Sequence, residues 1–369
     1  MALFNVSEKA YLLLADGRIF EGQSFGKKGT AFGEVVFTTS MTAYQETLTN
    51  PSYYGQIIVQ TFPLIGNYGV NDEDNESSRP YASGYIVREW SNYPSNFRSQ
   101  GNINDFLIKN NIVGIHSIDT RSLTRLIRDS GAMNGVITTE NVYEKKDELL
   151  KQLKEYTIAN VVKNLTCKEQ VVYKNADSKY KVVLLDFGCR KSIINEFVKR
   201  GCEVVVVPAE TNAEEIKKIN PDGIVLSNGP GDPAENTVII ENLKEISKLG
   251  IPMFGIALGH QLLALAHGGR TEKLKYGHRG SNQPVIDFKK DRTYITNQNH
   301  GYVVIGDSID ESIAEVSHIN ANDKTCEGLC YKNINAVTVQ FYPDGLNGEL
   351  DISYLYDEFI GVIADRRVQ

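Results

Sequence analysis

The chain has 369 residues, enough for two domains of ordinary size. Its 41% hydrophobic and 23% charged content is that of a globular protein and excludes wholesale disorder. A formal net charge of −7, with no dense basic cluster, excludes an electrostatic footprint for nucleic acid or for an anionic membrane. The opening MALFNVSEKAYLLLADG lacks a charged n-region followed by a long apolar stretch, and no run approaches the roughly 18 apolar residues that span a bilayer. The expectation is a soluble, cytoplasmic protein.

From about residue 10 to 140 the chain is rich in short β-type runs: YLLLADGRIFEG (11–22), GEVVFTTS (33–40), GQIIVQTF (55–62) and SGYIVREW (83–90). Gly, Asn and Pro punctuate them, as in a mixed domain dominated by strands. A helix is predicted near 119–130, with Asp119 or Thr120 as cap and Leu123, Leu126 and Ile127 as an apolar stripe. NVYEKKDELLKQLKEYT reads as a charged amphipathic helix and VVYKNADSKYK as a polar connector. The domains are therefore drawn at 1–150 and 181–369, with 151–180 as linker.

From 181 strands and helices alternate. KVVLLDFG, CEVVVVPAE, DGIVLSNGP and PMFGIA are apolar strands, and helices are predicted over 190–200, 212–218, 236–248 and LGHQLLALAHG. Continuous apolar strands separated by helices predict a parallel sheet covered on both faces, an α/β domain. The end, from about 293 to 365, holds further β-type runs and a last helix ending in DEFIGVIAD. The cysteines are Cys167, Cys189, Cys202, Cys326 and Cys330, an odd and sparse set that argues against a disulfide framework. Cys326 and Cys330 lack a second pair to complete a zinc site and read as thiols on or near a strand; no metal is expected.

Gly255-Ile256-Ala257-Leu258-Gly259 stands where a strand runs directly into a helix. A nucleophile elbow has this form, because glycines on both sides let the central side chain project from a tight turn. The N–H of the next residue, Leu258, would face an oxyanion at the helix N-terminus. An acyl-transfer enzyme needs Ser or Cys at the centre; here the centre is Ala257.

SNGPGDP (227–233), FGIALGHQLLALAHGG (254–269), KYGHRGSNQPV (275–285) and TNQNHGY (296–302) resemble, in order and spacing, class I glutamine amidotransferase domains, and more narrowly that of the carbamoyl phosphate synthetase small subunit. GEVVFTTSMTAYQETLTNPSYYGQIIV (33–59), PLIGNYGVN (63–71), SNFRS (95–99) and IDTRSLTRLIRDSGAMNGVI (118–137) are similar to that subunit's own N-terminal domain.

The resemblance implies a cysteine at position 257, a histidine base at Tyr342 and a glutamate at Asp344, within AVTVQFYPDG (336–345). None of the six histidines (His116, His260, His267, His278, His300, His318) lies near the chain's end to replace the base. Alanine cannot attack, and a phenol with an ordinary pKa near 10 is a poor base at neutral pH. The expectation is a subunit without glutaminase activity.

By the same resemblance glutamine would be held by Ser52, Gly229, Gly231, Leu258, Gln261, Asn299, Gly301 and Tyr302. Taken singly, Gly229 and Gly231 make a tight turn, Gln261 lies on a solvated helix face, and Asp232 is a turn residue. His260 and His300 read as parts of a polar network. The implied partner is the large synthetase subunit, which makes carbamoyl phosphate from bicarbonate, ATP and ammonia for pyrimidine or arginine synthesis; this chain carries no cofactor. Two alternatives stay open: an active subunit with an introduced Ala257, and a stand-alone glutamine-binding regulatory module.

Overall fold

The computed structural model describes residues 8–344 and 351–368; residues 1–7, part of the opening segment read above, lie outside them. The chain divides into two compact units, 1–159 and 160–369.

The strands of the first unit are β1 (Lys9–Leu14), β2 (Ile19–Gly26), β3 (Thr30–Thr38), β4 (Gln56–Gln60), β5 (Leu64–Ile65), β6 (Gly84–Ile86), β7 (Glu89–Trp90), β8 (Val113–His116) and β9 (Met133–Thr138). Seven of them close a barrel in the order β1-β2-β8-β6-β4-β3-β9, and β5 and β7 form a separate parallel pair. Alternation along each strand sorts its side chains. Leu12, Leu14, Val35, Ile57, Val59, Ile115 and Ile137 share one buried cluster, while Val36, Ile58 and Tyr85 belong to another on the opposite face. The predicted helix is Thr120–Ser130; Asp119 caps it by accepting the Ser122 N–H, and Leu123 and Ile127 join the first cluster.

The second unit has β10 (Val171–Tyr173), β11 (Tyr180–Asp186), β12 (Cys202–Pro208), β13 (Gly223–Leu226), β14 (Met253–Ile256), β15 (Thr271–Asp287), β16 (Arg292–Val304), β17 (Ala314–Asn320), β18 (Cys326–Tyr331) and β19 (Ala336–Val339). They form one sheet in the order β10-β12-β11-β13-β14-β19-β18-β17-β15-β16. The run β12-β11-β13-β14-β19 is parallel, as the unbroken apolar strands require, and the remaining pairings are antiparallel. Val182 and Leu184 pack on one face, Val183 and Leu185 on the other.

The polar-connector reading of 171–181 needs correction. Val171–Tyr173 pairs antiparallel with β12 as an exposed edge strand, and the helix Val161–Leu165 precedes it. No disulfide joins any of the five cysteines; Cys326 is buried and Cys330 half-buried on β18. Among the described residues no helix is long and apolar enough to cross a membrane.

Candidate functional site

β14 delivers Ala257 to the mouth of the helix Leu258–Ala266, as the glycine spacing predicts. Ala257 has φ 51° and ψ −105°, a conformation unfavourable for any residue with a Cβ. Packing holds it there: the Ala257 N–H donates to the Val339 carbonyl (2.8 Å) and the Gly259 N–H to the Ser227 carbonyl (3.0 Å). A Cβ on Gly259 would lie 2.3 Å from the Leu226 carbonyl oxygen, and one on Gly255 2.6 Å from Thr338 Cγ2. The elbow thus keeps its strained geometry around a methyl group. Gly259→Ala is expected to destabilise the second unit by about 3 kcal/mol, because the new methyl meets backbone rather than a movable side chain; urea unfolding checks this.

The position expected to hold the base is sealed. Tyr342 follows β19, its N–H donates to the Asn297 carbonyl (2.9 Å), and it is 1% exposed. The guanidinium of Arg190, at the start of the helix Lys191–Lys199, lies over the Tyr342 ring with Cζ 4.4 Å from its centroid. Arg190 Nη2 also pairs with Asp344 Oδ2 at 3.1 Å, both side chains having no exposed surface. The positions expected to hold base and acid therefore hold a buried cation–π stack joined to an ion pair. Arg190 is fixed by its own backbone: its N–H donates to Asn228 Oδ1 (3.1 Å), and Asn228 Nδ2 donates to the Gly188 carbonyl (3.0 Å). Ala257 and Tyr342 share the buried cluster on that face.

Of the residues expected to hold glutamine, Gly229 lies against the elbow: a Cβ there would sit 2.7 Å from Leu258 Cδ2 and 2.3 Å from the Phe187 carbonyl oxygen. Gly231 has φ 93°, which a tight turn with glycine supplies. Asp232 is the expected turn residue, its Oδ1 accepting the Ala234 N–H (2.9 Å). Gln261 is not on a solvated face. It is 3% exposed, and its Nε2 donates to the Tyr302 carbonyl (2.7 Å) and to Gln340 Oε1 (2.9 Å). Asn299, Gly301 and Tyr302 follow one another along β16, with Asn299 buried and the other two half-buried. Ser52 belongs to the first unit, buried on the single turn Pro51–Tyr53, where its N–H donates to Asn50 Oδ1 (3.0 Å).

The histidines near the elbow form the expected polar network. His260 Nδ1 lies 2.8 Å from Thr338 Oγ1, and complete burial, with His318 nearby, lowers its pKa to about 3. Burial, with His278 adjacent, likewise lowers His300 well below the usual imidazole range. Burial also opposes charge on His278, but the hydrogen bond to Asp323 (2.7 Å) and the nearby Glu327 carboxylate (3.4 Å) overcome it and raise the group to about 9. The linkage signs are opposite. An unfolded His260 takes up a proton below 6.5 that the folded one refuses until about 3, so stability falls as pH drops through that window. His278 contributes fully below 6.5 and loses its contribution as pH rises through about 9. His260→Gln is expected to remove about 2–3 kcal/mol of stability loss between pH 6.5 and 4.5, read as a flatter acid limb in urea midpoints.

The profile of the carbamoyl-phosphate synthase small chain, CPSase domain, matches residues 12–137, and that of glutamine amidotransferase class-I matches 183–362. The carbamoyl phosphate synthase small chain of Syntrophotalea carbinolica is 48% identical over 374 residues, covering 97% of this chain and 99% of its own. Those of Clostridium perfringens (45% identical, 95% of this chain, 99% of its own) and Clostridium acetobutylicum (46%, 96% and 100%) are similarly related. The chain belongs to the carbamoyl phosphate synthase small-chain family. In this small chain the first matched segment includes Ser52, and the second includes Ala257, Tyr342 and Asp344. The fold expectation holds: a strand-rich first unit and a class I glutamine amidotransferase α/β second unit.

Three features of the site were not read from the sequence. Arg190 follows the strand ending in Asp186, and nothing local marks a side chain that stacks on a tyrosine far along the chain. Gln340, two residues before Tyr342 in an apparently apolar strand, accepts from Gln261. Glu327, between two cysteines that drew attention first, is wholly buried. A charged residue inside an apolar strand pattern was the signal available for it.

Proposed function

We propose that this chain is a non-hydrolytic small subunit of carbamoyl phosphate synthase, a cytoplasmic pseudo-glutaminase that supports a large subunit using free ammonia. The reading is carried by the Arg190–Tyr342–Asp344 assembly next to an elbow whose centre is Ala257. Hydrolysis of the glutamine amide needs a nucleophile, a base to take its proton and an acid to orient the base. Here the first is a methyl group. The second is a phenol under a guanidinium, and the third is committed to that same guanidinium. Ammonia would then reach the large subunit from solution, together with bicarbonate and ATP.

L-Glutamine, in this reading, occupies the retained elbow and the Gly229–Gly231 turn as a ligand and not as a substrate. The test is carbamoyl phosphate synthesis by the complex with its cognate large subunit, with glutamine or ammonium as sole nitrogen source. Synthesis with ammonium alone is the expected result, and comparable rates with glutamine would end the proposal. Tight calorimetric binding of glutamine by a chain that captures no large subunit would favour the regulatory-module alternative instead.

A further inference from the structure

We propose that His278, His300 and Glu327 form a zinc site that braces β15, β16 and β18 beside the elbow. It is independent of whether the chain hydrolyses glutamine. His278 and His300 are direct cross-strand partners, so their rings share one face, with centroids 5.0 Å apart and planes at 87°. Glu327 on β18 reaches the same place with no side-chain surface exposed. One ligand atom from each residue falls within 4.8 Å of the others. Ligand atoms around a tetrahedral ion at about 2.1 Å stand about 3.4 Å apart. His278 Nδ1 and Glu327 Oε1 already stand 3.4 Å apart.

The outer contacts have the form that orients metal-binding imidazoles, each ring giving its other nitrogen to an oxygen. His278 Nε2 lies 2.7 Å from Asp323 Oδ2, and His300 Nδ1 lies 2.7 Å from the Tyr302 carbonyl oxygen. That leaves Nδ1 of His278 and Nε2 of His300 directed inward. His278 Nδ1 makes no hydrogen bond among the described residues.

Donor accounting points the same way. Gln298 Nε2 donates to Glu327 Oε2 (3.0 Å) and to Thr296 Oγ1 (3.0 Å), whose own proton goes to the Gln283 carbonyl. Gln298 Oε1 is thereby turned to His300 Nε2 at 3.0 Å. A neutral imidazole has one N–H, yet both nitrogens of His300 face acceptors. Flipping the Gln298 amide only moves the clash onto Glu327 and Thr296. A divalent cation bound by His300 Nε2 and, in place of a proton, by His278 Nδ1, with Gln298 Oε1 available as a fourth ligand, removes this clash. Two imidazoles and a carboxylate suit zinc.

The test uses the full chain, dialysed against a chelator and titrated with zinc chloride against a chromophoric competitor. About one zinc per chain is expected in the wild type, with visible ligand-field absorption when Co²⁺ replaces it. Glu327→Gln should abolish uptake, and Asp323→Asn, which removes only the outer contact of His278, should weaken it by about 10–100-fold. Should Glu327→Gln fail to fold, the wild-type stoichiometry and Asp323→Asn decide. Failure of the wild type to take up zinc, with a proton on Glu327 then completing the network, overturns the proposal. So does uptake that Asp323→Asn or folded Glu327→Gln leaves unchanged.

Discussion

Ala257→Cys is expected to leave the chain without glutaminase activity above a trace. The new thiol would stand at a correctly formed elbow, with the Leu258 N–H at the head of its helix, so a missing scaffold is not the obstacle. The obstacle is the second position. Tyr342 is buried under Arg190 and offers no group to take the thiol proton near neutral pH. Oxyanion stabilisation and binding alone leave about 10³–10⁴-fold catalysis over water, far below a metabolic rate. Adding Tyr342→His to Ala257→Cys should raise hydrolysis by on the order of 10²-fold, the lower end of what a general base supplies. It should not do more, because Asp344 remains paired with Arg190 and is not free to orient the imidazole. Steady-state release of glutamate from glutamine by the three chains checks the order. Full activity in Ala257→Cys would mean that Tyr342 is no barrier and that the alanine alone is responsible for the loss.

Arg190→Met is expected to destabilise the second unit by about 3–5 kcal/mol, since it removes the guanidinium from a carboxylate with no exposed side-chain surface. For a unit of this size each kcal/mol moves Tm by about 2–4 °C, so a drop of about 6–20 °C should appear in thermal unfolding. Arg190→Lys should cost less, about 1–2 kcal/mol, by keeping the charge while losing the planar stack on Tyr342. If Arg190→Met were as stable as the wild type, the Arg190–Tyr342–Asp344 assembly would not be a structural brace of the second unit. The other predictions act on different atoms: Gly259→Ala on the turn, His260→Gln on the acid limb, and the zinc titration on β15, β16 and β18.

Much of this was legible in the sequence because the signals were local. Asp119 before an apolar stripe marks a cap, and the glycines at 255 and 259 mark the elbow, which the structure shows to be required by Leu226 and Thr338. The expected loss of nucleophile and base rests on residue identity at two positions, Ala257 and Tyr342. What escaped was non-local. Val171–Tyr173 is a three-residue edge strand with every residue exposed, so it has no buried alternation to reveal it. SGYIVREW reads as one run, yet it splits into β6, within the barrel, and β7, paired with β5. Gln261 reads as solvated from its polar amide alone, and it is buried because its partners, Tyr302 and Gln340, come from distant strands. The Arg190–Tyr342 stack is of the same kind.

The most direct measurement supplies the reconstituted complex with amide-¹⁵N glutamine and unlabelled ammonium together, and reads the nitrogen of carbamoyl phosphate by mass spectrometry. A non-hydrolytic small subunit predicts unlabelled product at every glutamine concentration. Product carrying ¹⁵N in proportion to the glutamine supplied would contradict it.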